Sequence, residues 1–314
     1  MDEKWTYLVH KMNPSDKLLR AWELKGGISA QVTALELESP CGAKKKVVVR
    51  EHGQADLKRN PQIASDEFKL LQILKSAGLP TPTPYHLERS GEFFPAPCVV
   101  IEFIEGQTEA APDDLSSYLQ QIAAVLTRIH AVDTCLLAGT ILPNQEEAIA
   151  EKLRKRPANL DKSLDEGLIR EVLESVWPLP SSNWATLLHG DFWPGNTMWK
   201  EGQLAVVIDW EDAAIGDPLS DLGNARLEIL WAFGVAAMND FTLYYQAAMK
   251  TLDYTHLPYW DLCAAMRPAS NLSYWGLEKS TEKTMRERHS QFVMQACEKL
   301  GIPYKRHATY KGLE

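Results

Sequence analysis

The strongest constraint on the fold is a polar loop at residues 189–196, HGDFWPGN, that runs directly into a predicted β-hairpin. Two apolar segments follow the loop, separated by a glycine turn at Gly202, and the second segment ends at Asp209. If residues 200–203 turn the chain, the two segments pair as antiparallel strands. In that register, Asn196 and Asp209 lie opposite each other at the open end of the hairpin.

The same register brings three functional side chains together. Asp191 lies on the far side of the loop and is able to bend back over Asn196 and Asp209. Amide and carboxylate oxygens are suited to a hard divalent cation, and a further carboxylate is free to act as a base. The stretch therefore predicts metal-assisted phosphoryl transfer.

Composition narrows the class of protein. The chain has 314 residues, a formal net charge of −9, and 45% hydrophobic and 24% charged residues, which is typical of a globular protein with one large domain or two lobes. The acidic charge argues against a nucleic-acid binder. Residues 1–12 are polar, and no run approaches the roughly 18 apolar residues that cross a bilayer, so we expect a cytoplasmic protein without a membrane role. Five scattered cysteines without a C-x-x-C pair predict reduced thiols.

The first hundred residues have mainly the pattern of strands. Residues 24–37 form two extended segments around Gly26–Gly27. This pair either lets backbone N–H groups approach an anion or makes a plain hairpin turn. In the next strand, residues 46–50, alternation places Val48 and Arg50 on one face. Arg50 either binds phosphate oxygens or is a solvated surface charge.

A helix is predicted next, at residues 61–77, and it carries Glu67 as a candidate partner for Arg50. The apolar strand at residues 97–106 ends this region, and its exposed backbone could recognise a flat base edge. From Asp113 onward the pattern is helical. The predicted helices are 113–130, 146–156, 161–176, 221–237, 241–252, 258–278 and 281–300. His130, which ends the first of them, is expected to pack or to cap the helix.

Taken in order, these motifs resemble the aminoglycoside phosphotransferase and choline kinase family, small-molecule relatives of the protein kinases. His189-Gly190-Asp191 with Asn196 matches the catalytic loop H-x-D-x-x-x-x-N, with glycine where protein kinases have arginine. Asp209-Trp210-Glu211 stands where protein kinases have D-F-G, and residues 216–222 match a downstream G-D-P-x-x-D-L element. The N-terminal matches are Gly26 and Gly27 to the phosphate loop, Arg50 to the strand cation, Glu67 to the helix glutamate and Glu102 to Ile104 to the hinge.

The resemblance implies a role for each matched position. Asp191 would accept or orient the proton of the substrate hydroxyl, and Asn196 and Asp209 would hold Mg²⁺ against the phosphates of ATP or GTP. The nucleotide would be bound by Gly26, Gly27, Ser29, Arg50, Glu67, Glu102 and Ile104. His189 and Asp221 would organise and brace the loop. Glu211 is either an extra metal ligand or a substrate contact.

The implied fold is α+β and bilobal, like that of a protein kinase. A small N-terminal antiparallel β-sheet lobe with one main helix, residues 1–103, would bind the nucleotide. A larger, mostly helical C-terminal lobe, residues 104–314, would carry the catalytic loop and the substrate site. Arg50 departs from the usual kinase lysine and is bulkier and forked. Asp217 follows Asp209 by only eight positions, which leaves no activation segment and favours a small-molecule substrate over a protein.

The expected function is thus a Mg²⁺-dependent kinase acting on a small-molecule hydroxyl, as a monomer or dimer. One alternative is a nucleotide-binding protein of the same fold with little phosphotransfer. Another is a metal-dependent phosphoesterase, although further His and Asp ligands at useful spacing are lacking. The sequence leaves several substrate classes possible. The tail aromatics either line a sugar or quaternary-ammonium pocket or form core; they are Trp231, Tyr244, Tyr245, Trp260, Tyr274 and Trp275. Candidate carboxylates for an aminoglycoside are Asp212, Asp217 and Glu228.

Overall fold

The N-terminal part of the chain is built on a five-stranded antiparallel sheet in the order β1-β2-β3-β5-β4. The computed structural model describes residues 3–24, 30–89, 91, 93–108 and 112–304. The strands are β1 Lys17–Glu23, β2 Ala30–Glu38, β3 Lys44–His52, β4 Pro84–Glu88 and β5 Cys98–Glu102. The helices of this part are α1 Glu3–Met12, α2 Gln54–Arg59 and α3 Ile63–Ser76.

Alternation along β3 decides what each face of the sheet contacts. Val47 and Val49 join a small core with the apolar face of α1, whereas Val48 packs with Leu70 of α3 in the main core. Arg50 follows Val48 by two residues, so its side chain lies on the α3 side of the sheet. The predicted shared face of Val48 and Arg50 is confirmed.

The C-terminal part is mostly helical, with two short antiparallel strand pairs, β6–β9 and β7–β8. The helices are α4 Leu115–His130, α5 Gln145–Arg154, α6 Glu166–Val176, α7 Leu219–Phe233, α8 Val235–Ala248, α9 Leu257–Ala265 and α10 Lys279–Lys299. The strands are β6 Thr186–Leu188, β7 Thr197–Lys200, β8 Gln203–Val207 and β9 Ala214–Gly216. At the start of α4, the Asp114 side chain accepts a hydrogen bond from Ser117 N at 3.0 Å and so caps the helix.

Several element boundaries differ from the predictions. The helix predicted at residues 258–278 ends at Ala265, because Pro268 lacks an N–H and its ring would clash with the preceding turn. The helix predicted at residues 221–237 is divided by Gly234, whose φ of 89° ends α7 and begins α8. Helix α1 was not predicted, although its buried residues follow helical spacing.

The connection between the two parts is hydrogen-bonded to the β7–β8 hairpin. Gln107 N donates to Trp199 O at 3.1 Å, and Trp199 N donates to Gln107 O at 2.8 Å. From β8, Val207 N donates to Pro80 O at 2.7 Å. The antiparallel sheet followed by helices confirms the predicted α+β class, and the change falls between Glu102 and Leu115. The division of roles between residues 1–103 and 104–314 stays a prediction.

Among the helices that the described residues form, none has both the length and the apolar character needed to cross a lipid bilayer.

Candidate active site

The predicted hairpin of β7 and β8 forms, but its register differs by one residue from the prediction, and the pairing contains a β-bulge between Met198 and Trp199. Thr197 pairs with Val207, and just beyond this pair Ile208 N donates to Asn196 O at 2.9 Å. Asn196 therefore lies opposite the chain segment that carries Asp209. The hairpin could be predicted because a short turn joins its two strands, whereas the bulge that shifts the pairing by one residue leaves no clear mark in the sequence.

Asp191 and Asn196 are in direct contact. Asn196 Nδ2 donates to Asp191 O at 2.9 Å and to Asp191 Oδ2 at 3.3 Å. Asn196 Oδ1 makes no hydrogen bond to any described residue. Asp209 has a φ of 67°, a conformation that is uncommon for residues other than glycine and that concentrates at functional sites. The loop thus presents one amide oxygen and two carboxylates at the open end of the hairpin.

One buried carboxylate, Asp221, braces the loop. It accepts hydrogen bonds from His189 N at 2.7 Å and Gly190 N at 3.0 Å. Its Oδ2 also lies 3.2 Å from His130 Nε2, and His130 Nδ1 lies 2.6 Å from the Tyr245 hydroxyl. Burial opposes ionisation of Asp221, but its hydrogen bonds and the nearby histidines outweigh burial and lower its pKa. The expected bracing contact is formed, and His130 supports it from behind.

The residues around Asp191 explain the glycine of the loop. His189 is fully buried, and its Nε2 lies 2.9 Å from Ile208 O, which ties the loop to the end of β8. Gly190 has a φ of 83°, and a Cβ at this position would collide with the carbonyl oxygen of Asp212. No larger residue fits here, so the arginine of the protein-kinase motif is sterically excluded.

Arg50 lies at the centre of a buried charge cluster that joins the sheet to the loop. Its NH1 lies 3.2 Å from Glu67 Oε1, and its NH2 lies 2.8 Å from Asp209 Oδ1 and 3.0 Å from Glu211 Oε2. His52 Nε2 lies 3.0 Å from Glu67 Oε2. The structure therefore forms the Arg50–Glu67 pair that the sequence suggested, and it adds the two carboxylates of the hairpin end.

The charges of this cluster stabilise each other's ionised forms. Burial opposes the charge on Arg50, yet the carboxylates of Glu67, Asp209 and Glu211 outweigh it and raise the pKa of the guanidinium. Burial likewise opposes the charge on Glu67, but Arg50 and His52 lower the pKa of this carboxyl. Both groups stay charged at neutral pH.

On the opposite side of the loop, Arg267 binds Asp191. Its NH2 donates to Asp191 Oδ1 at 2.7 Å, and its NH1 donates to Gly190 O at 2.6 Å. Burial raises the pKa of Asp191, with Arg267 and His189 opposing this shift. A carboxylate whose pKa is raised is a better proton acceptor once it is ionised.

The donor set fits Mg²⁺ held jointly with nucleotide phosphates. Mg²⁺ is usually bound by one or two protein groups together with water and phosphate oxygens. Asn196 Oδ1 and the Asp209 carboxylate meet that requirement. Within the described residues there is no group of three or more His, Cys, Asp or Glu side chains placed for a metal, so the arrangement does not suit an all-protein cage.

The chain matches the model of the phosphotransferase enzyme family over residues 23–254, which is most of its length. The chain belongs to this family. The match includes the catalytic loop, the hairpin and the Arg50 cluster, and the resemblance to aminoglycoside phosphotransferases is confirmed.

Curated relatives of this phosphotransferase-family chain are much longer proteins. Acyl-CoA dehydrogenase family member 10 of Mus musculus is 24% identical over 201 residues, covering 59% of this chain and 18% of that protein. Acyl-CoA dehydrogenase family member 11 of Homo sapiens is 25% identical over 192 residues, covering 55% of this chain and 24% of that protein. The chain thus spans less than a quarter of the curated relatives that it matches.

Solved structures show the same fold. The GDP complex of wild-type aminoglycoside 2'-phosphotransferase-IIIa aligns with a TM-score of 0.64 at 18% identity, over 95% of this chain and 96% of that one. The ternary complex of a thermostable aminoglycoside phosphotransferase APH(4)-Ia mutant with AMP-PNP and hygromycin B gives 0.63 at 18% identity, over 93% and 98%. The bilobal, protein-kinase-like fold is therefore confirmed.

The structure describes some of the predicted nucleotide-binding positions. Gly26, Gly27 and Ser29 lie outside the described residues. Glu102 is bound within the N-terminal part, since its Oε2 accepts from Thr83 Oγ1 at 2.6 Å. Ile104 follows β5 and is half-buried. Their contacts with a nucleotide stay a prediction.

The structure shows which of the residues suggested for the substrate site are buried and which are exposed. Trp231, Tyr245 and Trp260 are buried core residues, as the core interpretation predicted, whereas Tyr274 and Trp275 are exposed. Asp217 is not available as a substrate carboxylate, because its Oδ1 accepts from Leu219 N at 2.9 Å at the start of α7.

Two residues of the candidate site were not predicted from the sequence. His52 shares the Arg50 face of β3, so alternation could have found it. Arg267 lies far along the chain and belongs to no motif, so the sequence carried no signal for it.

Proposed function

We propose that this protein is a Mg²⁺-dependent kinase that transfers the γ-phosphoryl group of ATP or GTP to a hydroxyl of a small molecule. The observation that carries this proposal is the meeting of Asp191, Asn196 and Asp209 at the hairpin end, with Arg50 tying Asp209 to Glu67. Family membership supports phosphotransfer. The complexes of structural neighbours with GDP, AMP-PNP and hygromycin B support a nucleotide and a small-molecule acceptor.

In the proposed reaction, Asp191 orients the acceptor hydroxyl and takes its proton. Oδ1 is held by Arg267 at 2.7 Å, whereas Oδ2 accepts only the longer 3.3 Å bond from Asn196, so Oδ2 is the oxygen better able to accept the hydroxyl proton. The hydroxyl oxygen forms a bond to the γ-phosphorus while the bond to the bridging β–γ oxygen breaks, and the nucleoside diphosphate leaves. Such transfer depends on positioning and on charge neutralisation, because the protein forms no covalent bond.

The remaining residues position the phosphates. Asn196 and Asp209 would hold Mg²⁺, which neutralises phosphate charge when it is bound. Arg50 supplies a fixed positive charge next to Asp209, and Glu67 keeps the guanidinium oriented. The nucleotide base would lie against the backbone after β5, near Glu102 and Ile104.

The decisive test compares Asp191→Ala with the wild-type protein in a nucleotide-consumption screen over amino alcohols, sugars, aminoglycosides, macrolides and hydroxy acids. We expect Mg²⁺-dependent product formation that falls by about 10³-fold in the variant, while nucleotide binding is retained. Asp240→Ala, an exposed position on α8, is the matched control. Unchanged turnover in Asp191→Ala would disprove the mechanism.

The same screen separates the alternatives. Tight Mg²⁺–nucleotide binding without phosphorylated product would indicate a nucleotide-binding protein with little phosphotransfer. Phosphate release from simple phosphoesters without nucleotide would indicate a phosphoesterase. Across the parts of the chain that the structure describes, no carboxylate and histidine cluster suits the dinuclear site that many phosphoesterases need.

A further inference from the structure

A cavity of about 610 Å³ lies beside the catalytic loop, between it and residues of α2 and α3. Gly190, Arg267, Asn224 of α7 and Lys152 of α5 line it, together with the end of α9. Because Arg267 also contacts Asp191, the cavity is connected to the proposed base. Its size is that of a small-molecule site.

The carboxylates in the cavity wall already have partners. Asp212 lies 3.3 Å from Arg59 NH1, and Glu211 lies 3.0 Å from Arg50 NH2. Asp66 accepts a hydrogen bond from Asn60 Nδ2 at 2.9 Å. Two of these three carboxylates, Glu211 and Asp212, are thus already paired with an arginine, which weakens their attraction for a cationic substrate.

Lys152, which also lines the cavity, differs from these carboxylates in its partners. Its Nζ donates to the carbonyl oxygen of Met266 at 3.3 Å, and no carboxylate in the described part of the chain lies within ion-pair distance of it. Met266 directly precedes Arg267, so two cations face the same end of the cavity. The Lys152 side chain is exposed overall, but desolvation of its amine, followed by repulsion from Arg267 and Arg170, lowers the pKa of Lys152 to about 8. An anion bound here would relieve that repulsion.

We propose that the acceptor is a hydroxy compound carrying an oxyanion, a carboxylate or a phosphate, which binds at Lys152 beside Arg267 while the hydroxyl lies at Asp191. This inference rests on the phosphotransfer proposed above and names its substrate class. Two neighbouring cations match the two oxygens of such a group. A cationic aminoglycoside or choline-like amine would instead add positive charge next to Lys152.

The experiment compares acceptors that differ only in charge. Short linear ω-hydroxycarboxylates of increasing chain length are assayed beside the matching hydroxycarboxamides and amino alcohols, and glycerol phosphate distinguishes a phosphate from a carboxylate. We expect a KM for the best oxyanion at least about tenfold below that of its neutral or cationic counterpart. In Lys152→Met this advantage should disappear with kcat little changed, and Lys152→Arg should restore it.

The matched control is Lys155→Met. Lys155 directly follows the same helix, but it does not line the cavity and it pairs with Glu151, so its loss should leave the acceptor preference unchanged. Equal KM values for the carboxylate and the carboxamide in the wild type would overturn the inference while leaving the kinase intact. So would a Lys152→Met effect that is the same for charged and neutral acceptors, since that points to a purely structural lysine.

If no acceptor of any charge is phosphorylated, the proposed kinase function fails, and binding decides about the anion site. Calorimetry with the hydroxycarboxylates and glycerol phosphate on the nucleotide-free protein should then show binding that Lys152→Met abolishes. Absence of binding to the wild type, or equal binding to the variant, would overturn the inference.

Discussion

Two arginines bind carboxylates of the catalytic loop and hairpin from opposite sides, and they do so in different environments. Arg50 is buried and contacts three carboxylates, Glu67, Asp209 and Glu211. Arg267 has a side chain that is 37% exposed, and it contacts one carboxylate, Asp191. Arg50 is therefore fixed by the fold, whereas Arg267 borders a cavity and is open to a ligand.

This difference in burial predicts different roles for the two arginines: Arg50 stabilises the fold, and Arg267 positions Asp191. Removing one partner of a buried ion pair leaves an uncompensated charge, which is strongly destabilising. Exposed pairs contribute little to folding because water competes with them. We therefore expect mutation of Arg50 to affect stability as well as activity, and mutation of Arg267 to affect mainly the rate.

The largest effect is expected for Arg50→Met. It leaves the buried Glu67 carboxylate without its guanidinium, so the free energy of unfolding should fall by about 3–5 kcal/mol. Urea denaturation measures this loss. Arg20→Met is the matched control, because Arg20 pairs with Glu36 on the exposed side of the sheet, and its loss should cost less than about 1 kcal/mol. Equal destabilisation by the two variants would contradict the comparison.

A smaller effect is expected for Arg267→Gln. The guanidinium fixes both Asp191 Oδ1 and Gly190 O, so its loss should loosen the base and lower kcat by about tenfold. Nucleotide affinity and unfolding free energy should change little. Arg59→Gln, which removes another cavity arginine without contact to Asp191, should leave kcat nearly unchanged. A stability loss in Arg267→Gln as large as that in Arg50→Met would remove the distinction between the two arginines.

The smallest effect is expected on the pH dependence of stability, through the Glu228 side chain of α7. Burial, and then repulsion from Asp191, raise the pKa of Glu228 to about 8, with Arg267 opposing. The folded protein thus holds this proton more tightly than the unfolded chain, so stability falls as pH rises from about 4.3 to about 8. Glu228→Gln should remove that loss and raise the Tm at pH 8 by several degrees.

The measurement at pH 5 serves as the internal control, because most of the Glu228 contribution is absent there. Thermal unfolding of both proteins across this pH range tests the sign. A Glu228→Gln variant that is less stable than the wild type at pH 8 would show that the carboxylate has a partner in the folded protein.

The sequence predicted the parts of the site that are local. Asn196 and Asp209 lie at the same end of the hairpin because a short turn joins its strands, and Arg50 lies on the α3 side of the sheet because strand alternation requires it. Arg267 could not be predicted, since it reaches Asp191 from a position beyond α9 that is set by packing of helices far apart in the chain. Pro268 ends helix α9 early, and this early end places Arg267 at the catalytic loop.

Gly190 has a consequence for regulation. In protein kinases, arginines that pair with a phosphorylated residue order the activation loop. The carbonyl of Asp212 leaves no room for any side chain at position 190, so this loop has no arginine there to pair with a phosphate. The loop is instead held by the buried Asp221 carboxylate. We therefore expect activity to follow the amount of folded protein and the supply of substrates, without covalent switching at this loop.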